Sequence, residues 1–238
     1  MTMGVYVDDI IITSPSSEAV AHTIKALQDK YVQLKIHQGK VHNYLGMVLD
    51  FSEAGYVHIN QTGMIQEIAK SPGVHNLEAA VGAAVKKPKT PSHDKLFQHS
   101  EDSAPLPADL AKELHSITAK ILFIANRGWP DVISFISYMT KRVLAPTIVD
   151  GRKLLRAISY LQETAKLDLR LGIRGALQVS VYIDASFAVH DDMKSHSGTA
   201  ITLGYGAYYT KSTAQKLNTT SSCEAELVAL SKGMQQAL

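Results

Sequence analysis

The chain has 238 residues, 45% of them hydrophobic and 19% charged, with a formal net charge of +2. That length allows one large domain or two small ones with a real core, in the balance of an ordinary soluble globular protein. The single Cys223 excludes an internal disulfide, no apolar stretch is long enough to span a bilayer, and the ten histidines include no pair at the tight spacing of a zinc site. Mild basicity permits nucleic-acid binding without arguing for it, because the footprint depends on where the charges lie. Met1 leads straight into a strand pattern with no signal peptide, so the chain reads as soluble and intracellular, cytoplasmic or nuclear.

The first run, "GVYVDDIIITSPSS" at residues 4–17, sets Asp8 and Asp9 between apolar β-formers and reads as two short strands joined by a tight turn. Ser14 to Ser17 then carry helix-start signals, and Val20, Ile24, Leu27 and Tyr31 follow at helical spacing. "KVHNYLGMVLDFSEAGYVHIN" reads as a second hairpin turning at Gly55, and a short helix from about Gln61 to Lys70 ends at Ser71-Pro72-Gly73. Residues 85–107, with Pro88, Pro91, Pro105 and Pro107, read as an irregular connection. Helices are expected from about Ala108 to Arg127, from Pro130 onward, where proline suits a first turn, and from about Val149 to Thr164. From Leu167 the pattern returns to strands, "LDLRLG", "LQVSVYID", "GTAITLG" and "AYYTK" in succession, and "SSCEAELVALSKGMQQAL" closes the chain as a helix. The expected fold class is α+β, in three parts: 1–85, 86–166 and 167–238.

A buried carboxylate without a partner usually takes up a proton instead, and two side by side also repel. A divalent cation removes both objections, and Mg²⁺ favours a few carboxylates with phosphate oxygens completing its shell. Aspartate is equally an ordinary turn residue, so an exposed pair needs no metal. "YVDDIIITS" as a whole resembles the catalytic hairpin of reverse transcriptases, in its copia-type retrotransposon version. "NYLGM", Asn43 to Met47, is similar to that family's primer-gripping strand, with Tyr44 and Gly46 its contact residues; "QTGMIQEIAK" is similar to its thumb and "KKPKTP" to the stretch that follows. "ILFIANRGWPDVISFISYMTKRVLAP" looks like the connection region, with Gly128-Trp129-Pro130-Asp131 where the family usually reads T-R-P-D. The resemblance implies a partial palm hairpin and thumb over 1–85, a linker and helical connection over 86–166, and Asp8 and Asp9 as ligands of two Mg²⁺ ions, with Mn²⁺ as a substitute. The family's third carboxylate comes from an upstream strand, and residues 1–7 hold no acidic side chain, so the polymerase site is expected to be a half-site.

A second constellation lies in "VSVYIDASFA", where Asp184 falls at the end of a β-rich strand, and in the last helix, which carries Glu224 and Glu226. An acidic residue on a strand with a glutamate on the next helix is how ribonuclease H-like folds begin a two-metal site. "YIDASFA…HSG…YYTKST…SSCEAELVAL" resembles the ribonuclease H domain of copia-type elements in matching order, which implies the N-terminal half of a mixed-sheet domain over 167–238. Ser221-Ser222-Cys223-Glu224 fits the capping box, which gives Glu224 a structural task. Glu226, in the pattern Glu-Leu-x-Ala, is the expected ligand beside Asp184, with Leu227, Leu230 and Met234 as the buried face behind it. The family's remaining carboxylates come from a later strand and helix, so this site too is expected to be incomplete.

Lys141, Arg142, Arg152, Lys153 and Arg156 gather around the third long helix, and Lys211 and Lys216 precede the last; each could track a phosphate backbone or merely be a solvated cation. Trp129 reads as a helix anchor, one of Tyr208 and Tyr209 as a packing residue, and His190 and His196 as surface or turn residues. Together these imply a fragment of a copia-type Pol polyprotein, inactive alone, whose partners are a primer-template or RNA–DNA hybrid and the remainder of the polyprotein, with no membrane. The alternatives are a non-catalytic nucleic-acid-binding or assembly module, and a decayed remnant whose unpaired sheet edge favours aggregation.

Overall fold

A computed structural model describes residues 1–31, 33–82, 85–94, 96–97 and 103–237. β1 (Thr2–Tyr6) and β2 (Asp9–Thr13) form the expected hairpin, an antiparallel pair closed by Val7 and Asp8. α1 (Ser17–Lys30) starts where the Ser16 side chain accepts a hydrogen bond from Ala19 N at 3.2 Å. No residue of α1 is buried, and β1 and β2 form a sheet of their own.

The next strands depart from the expected single hairpin. β3 (Val41–Tyr44), β4 (Met47–Asp50) and β5 (Tyr56–Asn60) make two hairpins, with Tyr44 paired to Met47 across the two-residue turn Leu45-Gly46. Leu45 at φ 51° and Gly46 at φ 75° both occupy the left-handed region, the signature of a type I′ turn. Asparagine at the first position would have announced it; leucine there reads as strand. β5 then pairs with β6 (Leu169–Ile173), which pairs with β9 (Gly204–Tyr205) to complete a five-stranded sheet in the order β3-β4-β5-β6-β9. Strands from both ends of the chain therefore meet in one sheet.

Between them lies the core. α2 (Thr62–Ala69), α3 (Pro72–Val81), α4 (Ala108–Ala125), a 3₁₀ turn (Pro130–Val132), α5 (Ile133–Arg142) and α6 (Ile148–Thr164) pack around Leu77, Leu114, Ile121, Ile136 and Leu154, all with no exposed surface. α3 was absent from the sequence expectation, which took Pro72 as a stop; Pro72 instead begins the helix, and Val74, Leu77 and Val81 supply its buried stripe. Residues 85–107 do more than connect. Leu96 and Leu106 join the core, and Leu106 N donates to Pro146 O (2.9 Å) while Ile148 N donates to Ala104 O (3.0 Å), fixing the segment to the start of α6. Trp129, expected to anchor the helix that opens at Pro130, is 4% exposed and donates from Nε1 to Thr164 Oγ1 at 3.2 Å, so it ties that start to the end of α6.

β7 (Ser180–Ser186), β8 (His196–Thr202) and β10 (Ala207–Ala214) form a third sheet in the order β10-β8-β7, covered on one face by α7 (Ser222–Ala237). The whole is α+β as expected. The expected mixed sheet is not found among the described residues: both pairings here are antiparallel, because the connections are too short for a parallel crossover. Nor do the late strands form one meander, since β6 and β9 belong to the five-stranded sheet.

Candidate nucleic-acid and cation site

α7 docks through its small residues. Ala225, Ala229 and Gly233 are buried, and a Cβ on Gly233 would lie 2.5 Å from Ile183 Cδ1 and 3.2 Å from Thr199 Oγ1, so the helix sits too close to β7 and β8 for any larger side chain. This reverses the expected face: Leu227, Leu230 and Met234 are 61%, 48% and 44% exposed. The register set by the small face brings Glu226 to β7, where its Oε1 accepts a hydrogen bond from Ala185 N at 3.3 Å, one residue beyond Asp184.

β7 is an edge strand, and Glu226 approaches that open edge from the α7 side. Side chains alternate along a strand, and Ile183 faces α7, so Asp184 leaves the backbone on the opposite face. Gly198, paired with Asp184, leaves the surface beside that carboxylate clear. Both acids are exposed and accessible. Their oxygens suit a hard cation such as Mg²⁺ in kind. In number they are two, and among the described residues no group of three or more His, Cys, Asp or Glu side chains is placed to hold a metal. Mg²⁺ is often held by one or two carboxylates with substrate phosphates filling its shell, but these two leave β7 on opposite faces, and Glu226 is engaged with the Ala185 peptide and not with Asp184.

Glu224 has the structural task read from the sequence. Its N–H donates to Ser221 Oγ (3.2 Å), and its Oε2 accepts from Thr220 N (2.6 Å) and Thr220 Oγ1 (2.9 Å), one residue further back than a standard capping box. Those Thr220 bonds, the backbone one foremost, hold its carboxyl below the usual range.

Asp8 lies in the β1–β2 turn and Asp9 opens β2, and both are exposed. Burial therefore supplies no need for a cation here, which removes the premise from which the sequence argument began. What the turn does carry is Val7, a β-branched residue 87% exposed at φ 52°, in a region such residues rarely enter. Tyr44 stands close by: a Cβ on Gly4 of β1 would lie 3.7 Å from its hydroxyl. Gly46, in the neighbouring turn, packs under Met64, whose Sδ would be 2.9 Å from a Cβ there.

The basic cluster is largely engaged with its own chain. Arg142 donates from Nε to Asp150 (3.1 Å) and from its terminal nitrogen to Ala145 O (3.2 Å), Arg152 to Val81 O (2.8 Å), Lys153 to Leu96 O (2.9 Å) and Arg156 to Thr90 Oγ1 (3.1 Å). Lys141, Lys211 and Lys216 are exposed and remain as candidate phosphate contacts. Tyr209 packs and donates to Gln236 (2.6 Å), whereas Tyr208 is 49% exposed.

His196, expected as a surface or turn residue, is instead the buried centre of a polar cluster. His196 is 6% exposed, lies 2.9 Å from His190 through Nδ1 and 2.6 Å from Ser212 Oγ through Nε2, and Ser212 donates to Ser134 of α5 at 3.1 Å. Phe97 lies over both imidazoles, with centroids 4.7 Å from His190 and 4.4 Å from His196. This chain of bonds joins the third sheet to the helical core. Neither histidine belongs to a metal-like spacing, so only the fold reveals it.

No family model and no solved structure matches the chain. Among curated proteins, the chain is 25% identical over 233 residues to a putative transposon Ty5-1 protein of Saccharomyces cerevisiae, covering 97% of this chain and 71% of that one. It is 28% and 27% identical over 225 residues to Retrovirus-related Pol polyproteins from transposons RE2 and RE1 of Arabidopsis thaliana, covering 94% of this chain and 14% of each polyprotein. The chain thus matches most of one relative and a small part of the others. No helix among the described residues is long and apolar enough to cross a membrane.

Proposed function

From its homology to Ty5- and copia-type retrotransposon Pol polyproteins, we propose that this chain carries parts of two phosphoryl-transfer sites of such a polyprotein. Asp8 and Asp9 are the reverse-transcriptase carboxylates, and Asp184 and Glu226 those of the ribonuclease H. The observation that carries the reading is the reach of Glu226 across to the peptide beside Asp184, at the one strand edge where the family motif sets its first ligand. Val7 at φ 52° supports the hairpin half, since a strained tip beside paired carboxylates serves positioning better than stability.

The ion is Mg²⁺, with Mn²⁺ as a substitute, held at the β7 edge by Asp184 and Glu226 together with phosphate oxygens. Bound there it supplies neutralisation of charge developing on a phosphodiester. The chain's own contribution is to orient: α7 fixes Glu226, and the Gly198 gap admits the backbone of an RNA–DNA hybrid beside Asp184. Tyr44 and Gly46 flank a primer end near the Asp8-Asp9 tip, and Lys141, Lys211 and Lys216 meet phosphates. The remainder of a polyprotein is the natural context, and it supplies the further carboxylates both reactions need.

Purified chain with Mg²⁺ is therefore expected to show no primer extension and no hybrid cleavage above a control carrying Asp8→Asn, Asp9→Asn, Asp184→Asn and Glu226→Gln. Template-directed synthesis or cleavage above that control overturns the inactivity. A second reading, a binding module without chemistry, is favoured by Asp184 leaving β7 on the face opposite α7, away from Glu226. Salt-dependent hybrid binding that survives both Asp184→Asn and Glu226→Gln with Mg²⁺ present selects it.

A further inference from the structure

Where the five-stranded sheet meets β10, a cleft of about 500 Å³ opens that has no place in the reading above. Its size is that of a ligand site, and Phe51, Tyr56, Tyr205 and Tyr208 line it. Two local features build it. Tyr56, Gly172 and Tyr205 stand in register across β5, β6 and β9, and because Gly172 lacks a side chain the Tyr56 ring lies down on its backbone, where a Cβ would come within 2.4 Å. The two tyrosine rings then meet edge-to-face with centroids 5.2 Å apart. Opposite them, the ladder of β10 slips between Ala207 and Tyr209, so Tyr208 is the extra residue of a bulge and turns out of the sheet into the cleft mouth. Bulges of this kind commonly re-aim a side chain at a functional surface.

The one charged lining residue, Glu53, is neutralised by Arg170 from β6. The Arg170 guanidinium lies 3.7 Å above the Tyr56 ring and is paired with Glu53, yet its Nε is a buried donor without a partner. Arg174 is exposed and follows the lining residue Ile173, its backbone N–H donating to Leu203 O at 3.2 Å and its Cβ against Gly204. Exposed rings beside guanidinium groups form the combination that stacks unpaired bases and holds the adjoining phosphate.

We propose that this cleft is a stacking site for an unpaired base of single-stranded nucleic acid, with Tyr208 and Phe51 as the platform and Arg174 on the phosphate. It deepens the nucleic-acid reading above and lies apart from both carboxylate pairs. The test is anisotropy of a fluorescein-labelled, unstructured 12-mer DNA strand with the full chain, run beside a labelled RNA–DNA hybrid. Tyr208→Ala is expected to weaken single-strand binding about tenfold, Tyr208→Phe to leave it unchanged, and Arg174→Ala to lower the salt slope by about one. Both side chains are exposed, and circular dichroism checks that the variants stay folded. Single-strand binding equal in wild type and Tyr208→Ala overturns the stacking site. Binding of hybrid but not of the single strand also overturns it, and leaves the Pol reading standing; binding of neither removes both.

Discussion

Replacing Asp150 by alanine is expected to destabilise the fold by about 3–5 kcal/mol, the usual loss when one partner of a buried ion pair is removed. Asp150 has no exposed surface, and its carboxylate accepts from Arg142 Nε (3.1 Å), Tyr138 Oη (3.1 Å), Thr147 N (2.9 Å) and Thr147 Oγ1 (3.0 Å). The bond from Thr147 N completes the capping box that starts α6, that from Thr147 Oγ1 reinforces it, and the other two tie α5 to it. Alanine would leave the half-buried Arg142 guanidinium with Ala145 O but no counter-charge, and the buried Tyr138 phenol without an acceptor. Tyr138, whose phenol is pushed up by burial and then by Asp150, would lose its partner in a site water enters poorly. In urea or thermal unfolding the midpoint should fall by roughly 10 °C for a chain of this size, and Asp150→Asn, which keeps an acceptor oxygen, should lose less. A loss below about 1 kcal/mol for Asp150→Ala contradicts this.

Stability should also fall as the solution is acidified from about pH 6.5, before the carboxylates titrate. Burial, then His190, then Lys141 push His196 down to about 4, and burial followed by Lys141 lowers His190. The groups around the pair are Lys141 from α5, His190, Asp191, Asp192 and Lys194 from the β7–β8 connection, and the uncharged Phe97, Ser134 and Ser212. A histidine whose folded value lies below its unfolded 6.5 refuses a proton that the unfolded chain accepts. Stability is therefore intact above about pH 6.5, declines as pH falls towards 4, and levels off below it, by at most about 3 kcal/mol for His196. Asp192 and Glu224, with carboxyls held below their ordinary range, contribute their losses at lower pH. Urea midpoints at pH 7, 6 and 5 measure the slope, and His196→Gln should flatten it. An unchanged slope in that variant places the proton uptake elsewhere.

What was legible in the sequence follows from the range of the forces involved. Local patterns were read correctly where side chain and backbone agree: the hairpin around Asp8, the Ser16 cap, and the helices α4 to α6. The capping by Ser221 and Glu224 was also visible, because it depends on spacing within one turn, whereas the Trp129 bond to Thr164 spans 35 residues and has no local signature beyond the bulk of the indole. The Leu45-Gly46 turn was hidden because a leucine occupies a left-handed position. The inner face of α7 was misread because apolar size was taken as the mark of burial. Close approach to a sheet selects Ala225, Ala229 and Gly233 instead and leaves Leu227 outside. Nothing local announces that β5 pairs with β6 across the entire helical segment, or that His196 meets Ser212 and Ser134. At the candidate site, the family resemblance names Asp184 and Glu226 as a pair, but that Glu226 would bond the Ala185 peptide while Asp184 leaves the opposite face of β7 was not legible.

The most direct test is whether Asp184 and Glu226 act as one cation site on nucleic acid. Mn²⁺ bound to the full chain in the presence of a short RNA–DNA hybrid can be counted from its electron paramagnetic resonance signal. The expected result is a bound ion that requires the hybrid and is lost equally in Asp184→Asn and in Glu226→Gln, the latter keeping its acceptor oxygen for Ala185 N–H. Bound Mn²⁺ unchanged by either substitution would contradict the assignment.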